Sequence, residues 1–102
     1  MRKYRVEFLK RAEKDLFDLY ETIAARAGLA VAGNYIDRIE AACLGLATSP
    51  LRGTRRDDIL PGLRTLGFER RATIVCRVRG LRVSIIRIFY GGQDFERALR
   101  GR

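Results

Sequence analysis

The hydrophobic period of this chain changes twice, and those two changes restrict it to one class of fold. Lys3–Leu9 alternates Tyr4, Val6 and Phe8 or Leu9 with Lys3, Arg5 and Glu7, the period-2 pattern of a strand with one buried face. From Lys10 the spacing becomes helical. Ala12, Leu16, Leu19, Ile23 and Ala27 recur at helical intervals, and Gly28 supplies the stop, although no Ser, Thr, Asp or Asn stands just before the stretch to cap it. A second stripe, Ala32, Ile36, Ile39, Cys43 and Leu46, widened by Tyr35 and Ala42, follows after almost no loop. It must end near Ser49, because Pro50 pushes the residue before it out of the helical region. Helices joined across Ala27-Gly28-Leu29 make an antiparallel hairpin.

After a polar loop over Leu51–Pro61 and the turn signal Leu60-Pro61-Gly62, the period returns to 2. Leu63–Phe68 is a short strand. Ala72–Val78 sets Ala72, Ile74, Cys76 and Val78 inward and Thr73, Val75, Arg77 and Arg79 outward. Arg79-Gly80 makes a tight turn. Leu81–Tyr90 is apolar at nearly every position except Arg82, Ser84 and Arg87, which suits a strand covered on both faces. Gly91-Gly92 ends it, and Asp94–Arg102 reads as one short helical turn with a basic tail. The order β-α-α-β-β-β predicts an α+β fold: an N-terminal strand, an antiparallel two-helix hairpin, then a three-stranded antiparallel C-terminal sheet, with the helices packed on one face. At 102 residues there is room for one core, so residues 1–102 are expected to form a single domain.

Composition narrows the chemistry. The chain carries a net charge of +9, and residues 51–102 hold 13 Arg and no Lys against 5 Asp/Glu. Arginine captures carboxylate and phosphate in a bidentate fork and stays charged at any cellular pH. There is no histidine, which removes the commonest general base and the commonest metal ligand together. Cys43 and Cys76 lack the spacing of a zinc or disulfide framework and read as core residues. No metal or cofactor is therefore expected. With no run of 18 apolar residues and no apolar leader, the expectation is a cytoplasmic protein without a membrane segment.

Arg64, Arg70, Arg71, Arg77, Arg79, Arg82 and Arg87 fall on or beside three consecutive strands. Neighbouring strands lie about 5 Å apart, so these residues are expected to merge into one positive docking surface for an acidic partner. Arg87 interrupts the most apolar strand. A partly buried arginine needs a carboxylate, a phosphate or several carbonyls, and Glu7, Asp94 or an external group can serve. Tyr90 places a hydroxyl at the strand end, where Gly91 and Gly92 permit close backbone approach. Tyr4, Tyr20 and Tyr35 sit on apolar stripes and read as core.

Tyr4-Arg-Val-Glu-Phe8 followed by Ala12-Glu-Lys-Asp15-Leu16, Leu46-Ala-Thr-Ser-Pro50-Leu-Arg-Gly53, Gly62-Leu63-Arg64, Ile74-Val-Cys-Arg77-Val78 and Ile85-Ile-Arg87-Ile-Phe-Tyr-Gly91-Gly-Gln-Asp94 resembles the RelE/ParE superfamily of bacterial type II toxin–antitoxin toxins, along essentially the whole chain. The resemblance implies an antiparallel sheet with a helical hairpin on one face. RelE-like members are ribosome-dependent mRNA endoribonucleases; ParE-like members inhibit DNA gyrase. Thr73 and Gln93 stand where the nucleases resemble one another in carrying arginine, and Leu99, or Phe95 nearby, stands in place of their C-terminal catalytic aromatic. The Ile-Ile-Arg87-Ile stretch ending in Gly-x-x-Asp94 is similar to the ParE-type ending, the plasmid-stabilising kind. The resemblance thus implies a non-enzymatic gyrase inhibitor, held in a hetero-oligomer with its antitoxin and touching nucleic acid only indirectly. The acidic C-terminal segment of that antitoxin would meet Arg64, Arg77, Arg79, Arg82, Arg87, Tyr90, Gln93 and Asp94. A nuclease would instead use Arg64, Arg87 and Tyr90, and a degenerate member would have lost its toxicity.

Overall fold

The computed structural model describes residues 3–92 and 94–101. Strand β1 (Arg5–Phe8) leads directly into α1 (Lys10–Ala27) and α2 (Leu29–Leu44). A 3-10 turn at Gly45–Ala47 then delivers the chain to β2 (Thr54–Arg55), β3 (Leu63–Phe68), β4 (Ala72–Arg79), β5 (Arg82–Tyr90) and α3 (Phe95–Arg100). The sheet departs from the three-stranded expectation. All five strands join one sheet in the order β1-β5-β4-β3-β2. β1 runs parallel to β5, with Arg5 opposite Arg82 and Phe8 opposite Ile85, while the other pairings are antiparallel. The parallel pairing follows from the count of reversals: β2 leaves the helical hairpin running opposite to β1, and the three antiparallel pairings that follow turn β5 back to the direction of β1. The extra strand, β2, has two residues inside a polar run and so carries no period to read.

Both helices pack on one face. Ala12, Leu16, Ile39, Cys43 and Leu46 meet Ala72, Ile74, Cys76, Val83, Ile85 and Ile88 in one buried cluster. Burial pushes the Cys43 thiol up to about 12 and the Cys76 thiol up to about 11, so neither is a nucleophile at neutral pH. The N–H of Gly28 closes α1 onto the Ala24 carbonyl. Its φ of +96° lets the chain reverse into α2 without a loop.

The opposite face carries a second, smaller cluster: Leu63, Val75, Phe89 and Leu99, with Ile59, Leu60, Ile86 and Phe95 packed around it. α3 and the Arg56–Gly62 segment roof this part of the sheet. Asp94 caps α3 by accepting from the Arg97 N–H at 3.1 Å. Arg56 then clips the roof together, donating to Asp58 at 3.0 and 2.8 Å and to Glu96 at 2.9 Å, while Arg100 donates to Asp58 at 2.6 Å. Hydrogen bonding from Arg56 holds the Asp58 carboxyl down at about 2. At Gly62 a Cβ would lie 2.8 Å from the Val78 carbonyl oxygen, so glycine lets the roof segment lie against β4.

Candidate functional site: an arginine trench on the outer sheet face

The strand register separates the arginines that the sequence groups together. Arg64 pairs with Cys76 and lies on the helix side, where its guanidinium donates to the Leu51 carbonyl at 2.9 Å. It is not part of the same surface as Arg77, Arg79 and Arg82. On the outer face, Arg5, Arg82 and Arg79 stand directly opposite one another across β1, β5 and β4. Like charges placed in register repel, so this row is left for an acidic group to neutralise. Arg82 has Glu7 at 3.9 Å, a distance that weakly offsets one charge of the three. Arg77 sits one pair further along, opposite Ser84, and its Nε donates to the Pro61 carbonyl at 2.8 Å. That bond fixes the guanidinium at the foot of the α3 roof.

These residues line a trench. Its apolar end, floored by Ile59, Leu63, Ile86 and Leu99, opens into a central hollow of about 590 Å³. Leu60, Arg77, Ile86 and Leu99 are shared by both. Through Arg79 and Ser84 the hollow continues into a basic end of Lys3, Arg5, Leu81 and Arg82. An extended segment with apolar side chains at one end and carboxylates at the other is the shape and charge that match. The apolar floor escaped the sequence reading, although part of its signal was present: Val75 and Ile86 are apolar at positions that alternation assigns outward, while Phe89 reaches the same face only through the bulge in β5.

Arg87 is held differently. A bulge in β5 opposite Val75 and Cys76 leaves Ile86 without a cross-strand partner. β1 ends opposite Ile85, so β5 has an open edge beyond that point, and Arg87 reaches around it to Asp15 on α1. Nε donates to one carboxylate oxygen at 2.8 Å and the second nitrogen to the other at 3.3 Å. The Ile88 N–H donates to the same carboxylate at 2.9 Å, so Asp15 also closes the open strand edge. The side chains of this pair are 16% and 10% exposed, and the Arg87 guanidinium lies 4.5 Å from the centre of the Phe89 ring. Its partner is therefore internal, and is Asp15 rather than Glu7 or Asp94. The helical period carried a signal the sequence reading passed over: Asp15, three residues after Ala12 and four before Leu19, flanks the apolar stripe of α1.

The three residues assigned to the nuclease alternative do not converge. Arg87 and Tyr90 share a shallow depression along the β5 edge with Asp15 and Asp18, and Arg64 is not among its lining residues. Asp94 is used as the cap of α3, and Gln93 lies outside the described residues. Thr73 pairs with Phe89, and Leu99 is buried in the outer cluster. Among the described residues no group of three or more Cys, Asp or Glu is arranged to hold a metal ion. Among the described residues no helix is long and apolar enough to cross a membrane.

A mixed five-stranded sheet with a helical hairpin on one face and a basic trench on the other defines a class of small α+β toxins. Residues 6–95 match the family of the ParE toxin of the type II toxin–antitoxin system, parDE, and the chain belongs to that family, on the ParE branch of the RelE/ParE superfamily. Among solved structures it is similar to a chain described as the chromosomal ParDE TA system from P. aeruginosa, with 26% identity and a TM-score of 0.76 over 87% of this chain and 97% of that one. A chain of the toxin–antitoxin complex RelBE2 from Mycobacterium tuberculosis shares the fold, with 21% identity and a TM-score of 0.61 over 86% of this chain and 98% of that one. No curated protein matches the chain.

Proposed function

We propose that this ParE-family toxin acts on DNA gyrase by protein–protein binding and is neutralised by an acidic antitoxin segment seated in the outer trench. The row of Arg5, Arg82 and Arg79 beside the apolar floor carries this reading, because it is complementary to a peptide with both apolar anchors and carboxylates. Both similar structures are described as toxin–antitoxin assemblies, which favours a hetero-oligomer here as well. Catalysis is disfavoured on chemical grounds. Attack of a 2′-hydroxyl on phosphate needs a proton acceptor as well as cations, and the chain has no histidine to supply one. Arg87, which shares the β5-edge depression with Tyr90, is already neutralised by Asp15.

The test is a pair of assays with the purified chain. Inhibition of gyrase supercoiling without mRNA cleavage in a translating extract, read by primer extension, is the expected result. Cleavage at the ribosome with gyrase unaffected overturns it. Relief of the inhibition by a peptide carrying the acidic tail of the adjacent antitoxin, lost in Arg79→Ala/Arg82→Ala, checks the trench.

A further inference from the structure

The outer trench is laid out in steps of one strand repeat. Residues two apart on a strand share a face and lie about 6.6 Å from one another. On β4 the outward residues Val75, Arg77 and Arg79 therefore mark three successive levels. At the level of Val75 the lining is apolar, supplied by Leu60, Ile86 and Leu99. At the next, Glu7, Ser84 and Arg77 stand in one row across β1, β5 and β4. At the last stands the row of Arg5, Arg82 and Arg79.

Arg77 is the fixed member of this series. It is partly buried, and its Nε is held by the Pro61 carbonyl at 2.8 Å. It makes no ion pair among the described residues, so its two terminal nitrogens remain to take a carboxylate in a fork. Arg5, Arg79 and Arg82 are exposed and lose more freedom when they are ordered. Glu7 sets the opposite margin of the Arg77 row. Its carboxylate accepts from the Ser84 hydroxyl at 3.3 Å and repels a second carboxylate over β1. An acidic group arriving at this level is thereby directed to the β4 side, onto Arg77. Among the described residues no carboxylate lines the trench itself.

We infer that the trench reads spacing as well as charge: its occupant is an extended segment with one apolar residue and carboxylates two and four positions away from it, and Arg77 fixes that register. An extended chain repeats at the same distance as the sheet, so its alternate side chains meet the three levels in turn. The inference rests on the proposed docking of an acidic segment in the trench, and adds the order of side chains that segment must carry.

Fluorescence anisotropy with the whole chain, at about 0.15 M salt, tests it with two labelled, end-capped peptides of one composition. Gly-Ser-Ile-Ser-Glu-Ser-Glu-Ser-Gly sets its glutamates on the same face as the isoleucine. Gly-Ser-Ile-Glu-Ser-Glu-Ser-Ser-Gly sets them on the opposite face. The first should bind saturably, and the second about tenfold more weakly or worse. Arg77→Lys keeps the charge and loses the fork, so it should bring the ratio of the two affinities close to one. Arg79→Ala leaves Arg5 and Arg82 at their level, so it should weaken both peptides and preserve the ratio. Equal binding of the two peptides by the unaltered chain overturns the register and leaves the acidic partner standing. Failure of both to bind up to millimolar concentration overturns the docking itself, and the register with it. A ratio that survives Arg77→Lys in a chain of unchanged melting temperature removes Arg77 from the role.

Discussion

The two faces of the sheet are built to different degrees of completion. The helix face is covered along β4 and β5, and its cluster of Ile39, Leu46, Ile74, Val83 and Ile85 is fully closed to solvent. The outer face is roofed at one end by the six-residue α3 and left bare at the other, where three arginines stand in one row. One face supplies the stability of the fold. The other sets three arginines in one row with only Glu7 near them, and the comparison teaches that stability and surface charge are kept on opposite faces.

That contrast is open to attack from its strongest side first. Ile85→Ala, in the middle of the closed face, should cost about 3–5 kcal/mol in urea denaturation, because the packed neighbours cannot collapse into the cavity. Arg87→Ala should cost about 2–3 kcal/mol, less than a wholly uncompensated buried carboxylate would, since Asp15 keeps the Ile88 N–H and has Arg11 at 3.7 Å. Replacing both as Asp15→Leu/Arg87→Met should recover only part of that loss, because it also takes the acceptor from the Ile88 N–H; full recovery would show that the edge bond contributes nothing. Leu99→Ala, under the partial roof, should cost about 2 kcal/mol, at the low end of such truncations because a short terminal helix can settle into the gap. Arg79→Ala should stay within about 0.5 kcal/mol of the parent, as an exposed site does, while the affinity for an acidic antitoxin peptide falls about tenfold or more. A larger stability loss at Arg79 than at Leu99 would invert the comparison.

The smallest effect concerns pH. Asp58 titrates from an ordinary 3.8 down to about 2 in the folded chain, with the Arg56 hydrogen bond as the main cause. A depressed carboxyl stabilises the fold above its unfolded value and loses that contribution as pH falls through the folded one. Amide protection factors in α3, referred to the intrinsic rate at each pH, should therefore fall between about pH 4 and pH 2 before those in α1 do.

The element types were legible where a period ran long enough to read. α1 and α2 announced themselves through Leu16, Leu19, Ile36 and Ile39, and β4 and β5 through runs that alternate or stay apolar throughout. The sheet was less legible for two physical reasons. Thr54 and Arg55 make a strand too short to show alternation, and the pairing of Arg5–Phe8 with Arg82–Ile85 joins opposite ends of the chain, which no local pattern specifies. At the site, Arg77, Arg79 and Arg82 do share a surface, whereas Arg64 faces the other way because register, not sequence proximity, decides the face. Asp15 flanks the apolar stripe of α1, but helical spacing alone does not name its partner. A helix surface carboxylate becomes a buried partner here only because β1 stops one residue short of Ile86 and exposes the strand edge beside it.

The pairing of the first strand with the last also sets a clock. Arg5–Phe8 has no neighbour in the sheet until Arg82–Ile85 has left the ribosome, at about 5–20 residues per second. The helical hairpin therefore waits several seconds with its apolar stripe uncovered, and pairing between such distant segments is itself slow. The row of Arg5, Arg82 and Arg79 comes into being only when that final closure occurs. Synthesis and the assembly of that charged row are consequently ordered in time: most of the chain exists before the row does.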